Sequence, residues 1–205
     1  MKIVVMGAGG IGGYYGGMLA KSGHEVTLIA RGDHLAAIQK EGLIVKSTDG
    51  DFSVRVKATD DLNDIDAADF VLFSVKSYDV EEAGRLLHPV ISSETVVLTI
   101  QNGIDSHEVL AEILGKRPVL AGACYIFSRI ASPGVIEHTG GRKTIVFGEL
   151  DGSATVRSER IFKIITESGI PCEISPDIKK ALWQKFIWIC GSAGLGTLTR
   201  LPLGE

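Results

Sequence analysis

The segment KIVVMGAGGIGGYYGGMLAKSGHEVTLIAR, residues 2–31, constrains the fold more than any other part of the chain. An apolar run, Lys2–Met6, leads directly into Gly7-x-Gly9-x-x-Gly12. Residues with helical character follow, and then a second apolar run, Glu25–Ala30. Such a glycine pattern on its own is a weak signal. Inside one strand–helix–strand unit it becomes specific, because each glycine then has a separate task. Gly7 allows a tight turn, Gly9 lets a pyrophosphate approach the backbone with no Cβ in the way, and Gly12 lets the helix close on the strand. The helix start supplies unpaired N–H groups and partial positive charge for an anion. Gly7, Ala8, Gly9, Gly10, Ile11 and Gly12 are therefore the expected dinucleotide loop. Gly16 and Gly17 are expected to ease packing along the helix rather than to touch a ligand.

The alternation continues. Strand-like runs lie at 2–7, 25–30, 69–75, 95–100, 118–127 and 142–149, with helix candidates near 10–22, 32–41, 78–88, 105–114 and 153–169. The early strands are continuously apolar, as in a parallel sheet covered on both faces. Repeated strand-then-helix units with right-handed crossovers make an α/β fold, a Rossmann-type doubly wound, mainly parallel sheet. Two weaker runs at 42–47 and 52–57 read as a surface hairpin around Thr48-Asp-Gly-Asp51, and residues 132–150 read as a second hairpin closing the sheet.

The end of the second strand discriminates between dinucleotides. An NAD site places Asp or Glu about 20 residues on, for the ribose 2′-hydroxyl. Here Arg31 stands nineteen residues after Gly12, and a guanidinium suits a 2′-phosphate through paired charge-assisted hydrogen bonds. Asp33 is close enough to keep NAD(H) open; Arg31 favours NADP(H). Ligands of such sheets lie beyond the carboxyl ends of the strands, where two further candidates stand. Lys76 follows the run FVLFSV, and Asn102 follows TVVLTIQ, ahead of a helix capped by Asp105 or Ser106. Either could be a solvated strand end or a turn residue. On adjacent strand ends beside a dinucleotide loop, the pair points to the nicotinamide half and the substrate.

Other classes are excluded by the totals. The net charge of −4 is spread without long runs, so no basic face invites nucleic acid or an anionic membrane. No apolar stretch reaches the ~20 residues of a membrane span, and no leader pattern opens the chain. Cys124, Cys172 and Cys190 lack metal-ligand spacing, which suggests no metal site and a reducing cytoplasm.

Near Pro176 the character changes from α/β to helical, with Asp177 as a helix cap. The expected organisation is a dinucleotide-binding domain over 1–175 and, over 176–205, the first segment of an all-α substrate domain that the chain truncates. A helix this apolar could instead pack on the α/β domain or on a second subunit, so a homodimer stays open. Within ALWQKFIWIC, residues 181–190, Lys185 is anomalous. At ~100° per residue, Ala181, Leu182, Trp188 and Ile189 project within ~60° of it, while Lys179, Lys180 and Gln184 lie ~100° or more away. An apolar surround lowers a lysine's pKa and suits it to general-acid work. A snorkelling lysine that covers apolar surface fits the wheel equally.

Four motifs in one order, KIVVMGAGGIGGYYGGMLAKSGHEVTLIARG, SVKSYD, IQNGID and ALWQKFIWIC, resemble the ketopantoate reductases (2-dehydropantoate 2-reductases), and the likeness spans the chain. It implies an NADPH enzyme of pantothenate and coenzyme A synthesis, with its site in a cleft between a Rossmann domain and a helical domain. By the same resemblance Lys185 matches the lysine that protonates the ketone oxygen. Asn102 matches a residue touching nicotinamide and substrate, Lys76 and Ser128 match cofactor contacts, and Arg31 matches the 2′-phosphate site. Better-known members carry asparagines four and eight residues after the lysine, where this chain has Ile189 and Ala193. The acidic and hydroxyl residues of the later helical domain have no counterpart in the sequence. The implied substrate is a small 2-keto acid, ketopantoate foremost. Another 2-keto or 3-hydroxy acid, or a non-catalytic NADPH-binding and sensing module, are the alternatives. If the chain acts alone, the expectation is intact NADPH binding with little turnover.

Overall fold

A computed structural model describes residues 1–201. Among them ten strands form one sheet: β1 (Lys2–Met6), β2 (Glu25–Ile29), β3 (Leu43–Ser47), β4 (Phe52–Val54), β5 (Lys57–Thr59), β6 (Phe70–Phe73), β7 (Val96–Thr99), β8 (Val119–Ser132), β9 (Val135–Gly148) and β10 (Cys172–Ile174). Six α-helices accompany them: α1 (Gly10–Lys21), α2 (Gly32–Glu41), α3 (Val80–Leu86), α4 (Ser106–Leu114), α5 (Val156–Glu167) and α6 (Ile178–Thr199). The strand order is β4-β3-β9-β8-β7-β6-β1-β2-β5, and β10 adds to the far end of β9. Every pairing is parallel except β3 with β4 and β8 with β9.

Both faces of the sheet are covered, which is why the central strands read as unbroken apolar runs. Successive residues of β1 serve opposite faces. Ile3 and Val5 join Tyr15, Leu19, Ile38 and Ile161 in one core, while Val4 and Met6 join Val80, Ala83 and Leu110 in the other. The sheet then curls around α1. A Cβ at Gly16 would come within 2.7 Å of Leu28 on the central sheet, and one at Gly13 within 2.7 Å of Ile136 on β9. Gly17 faces Leu43 and Val45 of β3 in the same way. The glycines past the loop thus serve packing, as expected.

Three details differ from the sequence reading. Residues 132–150 are not a hairpin by themselves. β8 runs on to Ser132, turns at Pro133-Gly134, and pairs with β9 from Ala121 to Ser132; Gly134 takes the turn at φ +74°. Gly140 and Gly141 fall where the register of this long hairpin shifts, since a bulge uses glycine as readily as a turn does. The short strands β5 and β10, of three residues each, carry too little pattern to show a period.

At Asp177 the chain enters α6, and the Asp177 carboxylate accepts the Lys180 N–H at 3.0 Å. The first half of α6 packs across β8 and β9, where Ile178 and Leu182 meet Ala121, Ala123 and Val146. Burying two such side chains stabilises the seam by about 1.5–3 kcal/mol each. Beyond Lys185 the helix leaves the sheet. Trp183, Ile187, Trp188, Leu195 and Leu198 are half or more exposed.

Candidate active-site cleft

A cleft of about 430 Å³ lies at the carboxyl ends of β1, β2, β6 and β7. Gly7, Ala8, Gly9, Gly10 and Ile11 form one side, with Arg31, Lys76, Asn102 and Ser128 around it. Nine of the predicted site residues are thereby brought to one place. Two are not. Gly12 lies beneath the loop, and Lys185 lies outside the cleft lining.

The loop owes its shape to its sequence. Gly7 adopts φ +97°, which L side chains rarely enter. A Cβ at Gly12 would stand 2.1 Å from the Gly7 carbonyl oxygen and 2.4 Å from Ser74 Oγ, so its task is helix-on-strand packing. Around Gly9 there is open space for a Cβ out to 4 Å, the opening a ligand would need. Gly10 has a task the sequence did not reveal: a Cβ there would strike the Ser128 carbonyl at 2.5 Å, so its absence lets β8 close over the helix start. Ser74 Oγ donates to the Gly7 carbonyl at 3.0 Å and steadies the turn.

Arg31 is the residue before α2 and points its exposed side chain to the cleft, whereas Asp33, in the first turn of α2, does not line it. Arg31 and Lys76 are exposed and enter no ion pair among the described residues. Asp79 and Glu82 also reach the lining, so the cleft holds charges of both signs. Ser128 Oγ is buried with no hydrogen-bond partner among the described residues. Asn102 is exposed, and the residue before it is pinned: Gln101 Nε2 donates to the Phe73 carbonyl at 3.1 Å, and Thr99 Oγ1 donates to Gln101 Oε1. Asp105 precedes α4 but makes no side-chain cap.

His34 also lines the cleft and was missed, since nothing in the sequence around it marks a ligand. Its Nε2 is 3.0 Å from the Ala8 carbonyl, and its Nδ1 accepts the Gly134 N–H at 3.0 Å.

Lys185 is 7% exposed and lies on the α6 face that packs on the sheet, together with Ile178 and Leu182. It does not snorkel. Its Nζ is buried without a hydrogen-bond partner among the described residues, 5.4 Å from the centroid of the Tyr125 ring. Burial holds its pKa below the ordinary lysine value, with the Cys124 sulfur partly opposing. Burial raises the Cys124 thiol in turn, against the pull of Lys185. That thiol donates to the carbonyl of Ile100, at 3.6 Å, and Ile100 lines the cleft. Ile104, two residues past Asn102, packs in the cluster that holds Leu182 and Tyr125. Lys185 is thus linked to the cleft lining through its neighbour Cys124, whose thiol meets Ile100. Ile189 is half-buried and Ala193 exposed.

A family model described as ketopantoate reductase PanE/ApbA matches residues 3–152. An uncharacterized oxidoreductase of Bacillus subtilis, YkpB, is 34% identical over the full chain and 67% of its own length. A 2-dehydropantoate 2-reductase of Nostoc is 30% identical over the full chain and 65% of its own length. Among solved structures, a PanE/ApbA family ketopantoate reductase of Ralstonia eutropha superposes with a TM-score of 0.90 at 38% identity, over all of this chain and 66% of that one. The chain spans about two thirds of the length of the relatives it matches.

Proposed function

The chain belongs to the ketopantoate reductase family, and from that premise we propose that it binds NADPH in the cleft and reduces a branched 2-keto acid, ketopantoate foremost, to the 2-hydroxy acid. The observation that carries the reading is the cleft itself. It gathers a glycine loop with an open face at Gly9, a guanidinium at the end of β2 and a buried hydroxyl at Ser128, both without a partner among the described residues. These residues fit a phosphorylated dinucleotide. The loop N–H groups from Gly9 to Ile11 would hold the pyrophosphate at the start of α1. Arg31 would take the 2′-phosphate, and Lys76 and Ser128 would flank the nicotinamide half. When bound, NADPH supplies the hydride.

In this reading Asn102 orients the substrate carbonyl, on a strand end that Gln101 and Thr99 keep rigid. Lys185 Nζ gives the proton to the carbonyl oxygen. A buried ammonium with its pKa pulled down releases a proton more readily than an exposed one. The substrate would enter between the Asn102 loop and α6, the helix that carries Lys185. We read residues 176–205 as the first segment of a helical second domain, and the exposed apolar flank of α6 supports this. A cytoplasmic location fits three free thiols; among the described residues no helix is long and apolar enough to cross a membrane.

A second reading keeps the chemistry and changes the substrate to another 2-keto or 3-hydroxy acid. It is motivated by Ile189 and Ala193, which remove two amides where substrate hydroxyl and carboxylate groups would be met. NADPH oxidation measured across a panel of keto acids separates the two. The first reading predicts that ketopantoate gives the highest kcat/KM, and a clear preference for another acid would establish the second. Tight NADPH binding with no turnover on any acid would favour a non-catalytic sensing module.

A further inference from the structure

We propose that His34 is a positioning residue for the dinucleotide, a neutral clasp that fixes the glycine loop against the hairpin wall carrying Ser128. The inference rests on the reading that the cleft holds NADPH.

The protonation state follows from the partners. A carbonyl oxygen only accepts, so the Nε2 that meets Ala8 O must carry the proton. The Gly134 N–H only donates, so Nδ1 must be bare. The ring is therefore the neutral Nε2–H tautomer, and both of its nitrogens are used. Burial supports this by keeping the imidazole below its ordinary pKa. His34 contributes geometry to the cleft, not charge.

That geometry joins three segments far apart in sequence. Ala8 belongs to the loop, His34 to α2, and Gly134 to the turn between β8 and β9. The turn is held from other sides as well. The Gly134 carbonyl accepts the Ile44 N–H at 2.9 Å, and the Gly134 backbone lies so close to Ala37 that a Cβ would come within 3.0 Å of it. With the turn anchored on α2 and β3, the His34 ring transmits that anchor to the loop.

The consequence for a ligand comes from one peptide unit. All peptides among the described residues are trans, and in a trans unit C=O and N–H point opposite ways. The unit after Ala8 carries the Ala8 carbonyl and the Gly9 N–H. Holding the carbonyl toward His34 turns the Gly9 N–H away from it, and that N–H has no partner among the described residues. Gly9 is also the loop position with open space at its Cα. Without His34 this peptide can rotate, since glycine on its far side offers no steric restraint, and an N–H aimed at the pyrophosphate would be lost.

The test uses three variants and two ligands. Gln offers an amide N–H at the reach of Nε2. Asn offers an acceptor at the reach of Nδ1 but no donor to Ala8. Leu offers neither. NADPH is titrated into each protein by fluorescence, alongside adenosine 2′,5′-bisphosphate, which keeps the Arg31 end and lacks the pyrophosphate bridge. Thermal unfolding is followed in parallel. Loss of one hydrogen-bonded anchor should weaken NADPH about tenfold in His34→Leu and His34→Asn, with His34→Gln staying within about threefold of wild type. The bisphosphate should bind all four proteins alike. NADPH binding by His34→Leu equal to wild type, or by His34→Gln as weak as by His34→Leu, overturns the proposal. Parallel loss of both ligands with a fallen Tm overturns it too, by showing a merely structural role. Failure of the wild type to bind NADPH overturns the cleft reading itself, an outcome distinct from the other three.

Discussion

The Nζ of Lys185 stands 5.4 Å from the centre of the Tyr125 ring and reaches no hydrogen-bond acceptor among the described residues. A cation–π contact of this kind contributes about 0.5–2 kcal/mol. Desolvating an ammonium costs several kcal/mol, so desolvation wins and the pKa falls. Lys185 is therefore held at a cost to stability, which supports the proton-donor role proposed for it.

That cost has a pH dependence of definite sign. The folded pKa of Lys185 lies below the ordinary 10.5. Between the two values the unfolded chain binds more protons than the folded one, and stability rises with pH across that window. Below the folded value the full penalty persists. Lys185→Met should therefore raise stability at neutral pH by on the order of 1–3 kcal/mol, or ~2–4 °C in Tm per kcal/mol. The gain should shrink as pH climbs toward the ordinary lysine value. A variant less stable than wild type at neutral pH, or a gain independent of pH, would contradict the account.

In the proposed reading Arg31 decides between dinucleotides. Its side chain faces the cleft and Asp33 does not. A charge-assisted contact contributes about 1.5–3 kcal/mol, so Arg31→Ala should weaken NADPH by roughly 10–100-fold and leave NADH nearly unchanged. Equal losses for both ligands would remove Arg31 from the 2′-phosphate site.

Two glycines three residues apart should respond differently to one methyl group. A Cβ at Gly12 meets backbone and Ser74 at under 2.5 Å, while one at Gly9 meets nothing. Gly12→Ala should destabilise the fold by about 1–3 kcal/mol through overpacking. Gly9→Ala should keep the wild-type Tm and lose NADPH affinity. Thermal unfolding with NADPH titration on both proteins reads the contrast, and a Gly9→Ala protein that binds normally would place the pyrophosphate elsewhere.

The sequence was legible where one local pattern has one physical cause. The loop of Gly7 to Gly12, the strands with apolar runs and the Asp177 cap all follow from local rules. The helix wheel set Lys185 off the polar stripe but left burial and snorkelling level; only its seat beside Tyr125 on β8 decides for burial. What stayed hidden depends on distant partners. The clasp at His34 needs Gly134, a hundred residues on. The Gly10 contact needs β8, and the polar seat of Asn102 needs Gln101 to reach β6. The three-residue strands β5 and β10 are made by their neighbours, not by their own sequence. Polar residues at strand ends, such as Gln101, were the one available signal for the supporting network.

The most direct test of the central claim is ketopantoate-dependent oxidation of NADPH by the native gene product, wild type against Lys185→Ala. The account predicts turnover by the wild type, preferring NADPH to NADH, and a fall in kcat of at least ~100-fold in the variant, as expected for loss of a general acid, with NADPH affinity unchanged. Undiminished turnover by Lys185→Ala would contradict it.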